Sequence, residues 1–210
     1  VISRNPEQSI KRDELQKKLN TALRQVNEDF KDEIKSPFQI TLGDEFQGLL
    51  LRPDTVLDII NRIKSQIHPY AVRFGVGLGE MNTEVDEKTA LGSDGPAYYA
   101  ARDAVDRLKK TQHQYEQAKS DLYIISHRKH DPCFDVINST IALCYRLESK
   151  WSDKQREVIN ILMMHDCSQY EVADQLGINP STVNRRLAAA GYIYYQTAGQ
   201  SIKTALLHMC

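Results

Sequence analysis

The sequence predicts an α+β fold in two parts, a sheet-and-helix domain over residues 1–130 and an all-helical domain over residues 131–210. Three observations predict it. Up to His127, short stretches of two-residue apolar alternation recur between amphipathic helical stretches. Beyond the charged, proline-ended segment HRKHDP (His127 to Pro132), every apolar pattern has helical spacing. The chain has 210 residues, 41% of them hydrophobic and 26% charged, which supplies apolar material for two cores and argues against wholesale disorder.

Ile10 to Phe30 carries Leu15, Leu19, Ala22, Leu23, Val26 and Phe30 at three- and four-residue spacings, which predicts a helix packed on a sheet. Pro37 ends that region. PFQITLGDEFQGLLL then alternates Phe38, Ile40 and Leu42 before Gly43-Asp44, with Phe46 and Leu50 after it, and reads as a hairpin. Pro53 and Asp54 open a second helix with Val56, Ile59, Ile60, Ile63 and Ile67 as its buried stripe, stopped by His68-Pro69. In AVRFGVGLGE, Val72, Phe74, Val76 and Leu78 alternate with Arg73, Gly75, Gly77 and Gly79. Glycine at alternate positions leaves one strand face bare, open to a helix, a backbone or a ligand, and a helix is the commonest occupant.

Asn82 to Leu91 reads as loop. Ser93, Asp94 and Pro96 open a helix continuing through Ala97 to Lys110, and Asp121 to His127 is a short apolar strand. This order matches a ferredoxin-like antiparallel-sheet domain lacking only its first strand, which is expected upstream of Val1. Past the charged segment, helices are expected over Phe134 to Leu147, Asp153 to Met164, Gln169 to Leu176, Pro180 to Ala190 and Gln200 to His208.

Bulk properties narrow the classes of function. A formal net charge of −1 argues against coating nucleic acid or membrane through global charge, while allowing a local basic surface. No apolar run approaches the roughly 20 residues needed to span a bilayer. Cys133, Cys144, Cys167 and Cys210 form no C-x-x-C pair and no secretory leader is evident, so free thiols and a cytoplasmic location are expected. His127 and His130 share helical spacing but lack further ligands nearby, and Met163-Met164 reads as core.

The segment SQYEVADQLGINPSTVNRRLAAAGY (Ser168 to Tyr192) assigns separate jobs to its residues. Ser168 is placed to cap a helix. Val172, Ala173 and Leu176 form an inner face, Ala173 being small where two helices cross. Gly177 permits a tight turn, and Ile178 plugs the core. Asn179, Pro180 and Ser181 start a second helix whose Val183 and Leu187 face inward. Ser181, Thr182, Asn184, Arg185 and Arg186 are left to face outward, and Arg and Asn suit bidentate contacts with guanine and adenine in the major groove of double-stranded DNA. From Gly177 to Cys210 there is no Asp or Glu, whereas Asp166, Glu171 and Asp174 precede it, so charge is polarised locally. The pattern is that of a helix-turn-helix. One copy would release few counterions, so useful affinity calls for a homodimer spanning two half-sites. Tyr192, Tyr194 and Tyr195 with the last helix fit either a dimer contact or closure of the module's own core, the second being the expected use.

WSDKQREVINILMMHDCSQYEVADQLGINPSTV resembles the helix-turn-helix domains of sigma-factor and LuxR-like regulators, in which a support helix of the form x-x-Q-R-E-V-I precedes the motif. TLGDEFQGLL resembles the metal-binding hairpin of class III nucleotidyl cyclases and GGDEF diguanylate cyclases, and RFGVGLGE and GPAYYAARDAV resemble the cyclase strand R-x-G-x-x-x-G and the later helix ending in A-A-R. Over its length the chain resembles the SatD family, which joins a cyclase-like domain to a C-terminal helix-turn-helix.

The cyclase resemblance implies Asp44, with Glu45 beside it, as ligands of Mg²⁺ carrying a nucleoside triphosphate, and Arg102 as a phosphate contact. The cation would relieve repulsion between carboxylates and gather phosphate oxygens. The chain departs from the pattern at Tyr98, where cyclases carry Asn, at Leu42, where GGDEF carries its first glycine, and in the strand-one aspartate, expected upstream of Val1. A Gly-Asp turn also needs no ligand, and Arg102 equally fits a pairing with Asp94 or Asp106. Three functions follow as expectations: a transcriptional regulator whose cyclase-like part dimerises or senses a nucleotide, a Mg²⁺-dependent enzyme acting on a nucleoside triphosphate, or a structural dimer that recruits proteins.

Overall fold

A computed structural model of the chain describes residues 6–42, 45–81, 95–114, 120–127, 131–165 and 167–209. The structure is mixed α/β and mostly helical, with two two-stranded sheets among the described residues. Its described elements fall into two units, one ending at Val72 and the other running from Arg73 to Glu80 and onward from Gly95.

The first unit holds α1 (Pro6–Asp29), β1 (Ile34–Leu42), β2 (Glu45–Leu50) and α2 (Val56–Ile67). All five residues of the stripe expected on α2 are buried: Val56, Ile59, Ile60, Ile63 and Ile67. They share the unit with buried Leu19, Ala22, Leu23 and Val26 of α1, which packs on α2. Burying each large aliphatic side chain contributes about 1.5–3 kcal/mol, so this contact carries the unit. An ion pair between Arg62 and Asp29 (3.3 Å) joins the same two helices at the surface.

β1 and β2 pair antiparallel, with Gln39 opposite Gln47 and Ile40 opposite Phe46. The expected Gly43-Asp44 turn lies outside the described residues. β1 begins at Ile34, before Pro37, although proline was expected to mark the strand's start. The register is irregular between Ser36 and Gln39, and an irregularity is where a residue without an N–H can sit in a strand. Asn27 of α1 grips β1 at both ends of one residue: its Nδ2 donates to the Phe38 carbonyl (2.8 Å), and the Phe38 N–H donates to its Oδ1 (2.7 Å). The Phe38 ring covers Gly48, where a Cβ would meet its carbons.

The second unit begins with β3 (Phe74–Leu78), α3 (Pro96–Gln114) and β4 (Leu122–Ser126). β3 and β4 pair parallel, Phe74 with Leu122 through Leu78 with Ser126. The expected single antiparallel sheet is therefore, among the described residues, one antiparallel hairpin and one parallel pair. The physical reason is connection length: a short link returns the chain antiparallel, whereas a helical crossover such as α3 delivers the next strand parallel. The bare face of β3 is occupied by α3. A side-chain carbon on Gly75 would collide with the Ala101 carbonyl oxygen, and one on Gly77 with that of Ala97. α3 answers with Ala97, Ala100 and Ala104 buried.

α4 (Pro132–Glu148) follows, its N-terminus capped by Asp131, which accepts from the Cys133 N–H (2.9 Å). It packs on β4 across the position of the expected domain boundary. Buried Asn138 donates to the Ile124 carbonyl and accepts the Ile124 N–H, both at 2.8 Å. Beyond it lie α5 (Asp153–Met164), α6 (Gln169–Gln175), α7 (Pro180–Ala190) and α8 (Tyr192–Met209). α8 begins eight residues before the expected Gln200, directly after Gly191, whose left-handed conformation (φ 64°) ends α7. Gly199 lies inside this helix, where a mid-helix glycine costs only about 1 kcal/mol. Ile202 and Leu206 are buried and anchor the helix.

Candidate nucleic-acid interface

α5, α6 and α7 enclose a core of Val158, Ile159, Val172, Ala173, Val183, Leu187 and Ala190, closed by Trp151 ahead of α5. Two capping boxes set the helix starts. At α5, Ser152 and Gln155 exchange side-chain and backbone hydrogen bonds. At α6, the Glu171 N–H donates to Ser168 Oγ (3.3 Å), and Glu171 Oε2 accepts the Ser168 N–H (2.7 Å). The Ser168 backbone and hydroxyl hold the Glu171 carboxyl below its ordinary pKa of 4.5. Ser168 alone was expected as the cap. The S-x-x-E and S-x-x-Q spacings were the available signals for the reciprocal partners.

Between α6 and α7 the backbone turns through Gly177 (φ 61°), where a Cβ would meet nothing within 4 Å, so the requirement is conformational and not steric. The Ile178 N–H returns to the Ala173 carbonyl (2.9 Å), and Pro180 occupies the first turn of α7, where a missing N–H is harmless. The indole Nε1 of Trp151 donates to the Ala190 carbonyl (2.8 Å), fixing the far end of α7. The Trp151 ring is met edge-on by Tyr195 (centroids 4.9 Å apart), and the Arg156 guanidinium lies over it (5.6 Å). Arg156 also donates to the Glu148 carbonyl (2.6 Å) and pairs with the Glu148 carboxylate (3.6 Å), tying the end of α4 to α5. Burial pushes the Tyr195 phenol well above its ordinary pKa. Tyr195 and half-buried Tyr192 thus pack against the core, while Tyr194 is exposed.

The five residues expected to face outward on α7 divide into two sets. Ser181, Asn184 and Arg185 are exposed at helical spacing on one face, and Thr182 is half-buried beside them. Arg186 turns back: its guanidinium pairs with Glu157 (3.3 Å) and donates to the Lys154 carbonyl (3.3 Å), with 18% of its side chain exposed. It braces α7 on α5. Next to Asn184, a cleft of about 730 Å³ opens between the end of α5, the start of α6 and the helices α7 and α8, lined among others by Met163, Met164, Gln169, Tyr192 and Ile193.

The residues expected to bind nucleotide are placed in different units. Glu45, exposed, is the first residue of β2 and stands opposite Leu42, while Asp44 lies outside the described residues. Arg102 is exposed on α3. Among the described residues, no group of three or more His, Cys, Asp or Glu is placed to hold a metal ion. Among the described residues, Cys133, Cys144 and Cys167 are not joined in disulfides. No described helix is long and apolar enough to cross a membrane.

The chain belongs to the SatD family, whose model matches residues 3–206. No curated protein and no solved structure matches it.

Proposed function

We propose that this protein is a DNA-binding transcriptional regulator that reads double-stranded DNA as a homodimer, with α6, the Gly177 turn and α7 acting as a helix-turn-helix. The observation that carries this reading is the exposed Ser181–Asn184–Arg185 face of a helix whose opposite side, Val183 and Leu187, is locked into a trihelical core. A rigid helix presenting Asn and Arg near its N-terminal half has the donors and acceptors that discriminate base pairs in the major groove. Arg185 is the base-reading cation of this interface, Asn184 its adenine-type reader, and Ser181 and Thr182 are neutral contacts to the backbone. Arg186, committed to Glu157, acts by setting the tilt of α7.

The N-terminal part, as a ferredoxin-like, nucleotidyl cyclase-like domain, supplies dimerisation or nucleotide sensing. Asp44 and Glu45 would hold Mg²⁺ there, and Arg102 would meet a triphosphate. A carboxylate at the first residue of a hairpin strand is sterically open to a hydrated cation, and Glu45 is such a residue.

Fluorescence anisotropy against pooled genomic fragments tests the central reading. Arg185→Ala is expected to lower specific affinity by about 1–3 kcal/mol, roughly ten- to a hundredfold, with the fold intact. Arg186→Ala is expected to lower thermal stability as well as binding. The regulator reading fails if the intact chain binds no duplex above competitor level, or if Arg185→Ala binds as the parent does.

A further inference from the structure

α8 differs from the other long surface helices in what it shows to solvent. On α3 the exposed side chains include Arg102, Asp103, Asp106, Arg107, Lys109 and Lys110. On α8 no exposed residue is Asp, Glu, Lys or Arg, and the exposed apolar groups are large: Ile193 61%, Tyr194 72% and Leu207 42%. Solvated helix faces in a chain that is 26% charged carry charge, whereas the centres of protein interfaces are depleted of it and enriched in tyrosine.

The exposed residues also keep a seam. Ile193, Thr197, Gln200, Thr204 and Leu207 follow one another at spacings of four, three, four and three, the repeat that keeps one line of a helix facing a partner helix. The ends of that line are equidistant from Gln200, which lies seven residues from each of Ile193 and Leu207, with Thr197 three residues before it and Thr204 four after it. We infer that α8 is a self-association surface, on which a second copy of this chain lays its own α8 antiparallel with a two-fold axis at Gln200. In that arrangement Ile193 meets Leu207 of the second copy at each end, Thr197 comes within one residue of register of Thr204, and the two Gln200 amides face each other and hydrogen-bond as donor and acceptor.

Absence of charge is what makes the second copy the fitting occupant. Across a two-fold axis the residue on the axis meets its own duplicate, so a charge there repels itself. The line from Ile193 to Leu207 itself carries no charge over about 21 Å of helix, half-buried Lys203 lying beside it. A seam of this length alone buries less than the roughly 800 Å² per partner of standard stable interfaces, so association is concentration-dependent. This inference deepens the homodimer part of the regulator reading and rests on it: two copies joined here would engage adjacent half-sites together.

Sedimentation velocity on the intact chain over a concentration series, without DNA, tests it. The parent is expected to pass from monomer to dimer. Gln200→Glu and Gln200→Lys are each expected to weaken association at least about tenfold, because like charges meet at the axis. An equal mixture of the two is expected to restore dimer, since Glu then faces Lys. The double variants Thr197→Lys/Thr204→Lys and Thr197→Glu/Thr204→Glu, alone and mixed, repeat the test one layer out, should a Gln200 variant fold poorly. A parent that stays monomeric, single variants that associate as the parent does, or a mixture that restores nothing would each overturn the seam. DNA binding measured on the same samples separates the two claims. A dimer that ignores DNA sinks only the regulator reading, and a variant set that still dimerises while binding DNA sinks only the seam.

Discussion

Both units hold a strand to a helix with the same device, an asparagine amide that exchanges two hydrogen bonds with one strand residue. In the first unit Asn27 does this to Phe38, and in the second Asn138 does it to Ile124. The settings differ. Asn27 is half-buried, so water can replace its bonds, whereas Asn138 is buried with 8% of its surface exposed. The glycines tell the same story. Gly48 of the first unit is covered by a ring that can move, and Gly77 of the second by the backbone of a neighbouring helix, which cannot. The first unit is joined through side chains and tolerates adjustment; the second is joined backbone to backbone and does not.

Four substitutions sharpen that contrast, each read as a shift in urea unfolding followed by circular dichroism. Gly77→Ala should destabilise most, by about 3 kcal/mol, because the methyl meets the Ala97 carbonyl. Gly48→Ala should cost less, about 1 kcal/mol, since the atoms in the way belong to the Phe38 side chain and not to backbone. Equal effects would break the comparison. Asn138→Ala should cost about 2–3 kcal/mol by stranding two buried strand groups, and it should speed hydrogen exchange at the Ile124 amide. Asn27→Ala should cost about 1 kcal/mol with a smaller acceleration at the Phe38 amide. If the Phe38 amide responds more strongly than that of Ile124, water access is not what distinguishes the two clamps.

The smallest expected effect contrasts two helix starts within the second unit. α5 is boxed by Gln155, which does not titrate, and α6 by Glu171, whose carboxyl is held below 4.5 by the Ser168 backbone and hydroxyl. A depressed folded pKa means that the stabilising contribution is complete above 4.5 and is lost as pH falls through the lower folded value. Acidification should therefore loosen α6 before α5. Glu171→Gln should remove that difference while keeping the cap, and amide exchange along the two helices as pH is lowered measures it. Unchanged pH dependence in Glu171→Gln would show that other carboxylates control α6.

What was legible in the sequence was whatever depends on local period. The stripe on α2, the glycine face of β3, the Gly177 turn and the inward Val183 and Leu187 all follow from spacing within one element, and spacing is written in the chain. What was not legible depends on a partner far along the chain. Asn27 and Asn138 look like ordinary helix-surface polar residues until a strand is laid beside them. Arg186 directly follows Arg185 at the middle of α7, and only the position of Glu157 on another helix distinguishes the brace from the exposed cation. The start of α8 at Tyr192 was not legible: the burial of Ile202 and Leu206, which outweighs the propensity cost of Gly199, depends on partners outside the helix.

The indole of Trp151 has a practical consequence. It is the chain's single tryptophan, and it is bonded to the last carbonyl of α7. The protein therefore carries its own optical gauge of that helix. Any ligand that tilts α7 stretches the bond to Ala190, alters the polarity around the ring and displaces its emission, so engagement of the reading helix can be followed by intrinsic fluorescence on unlabelled material.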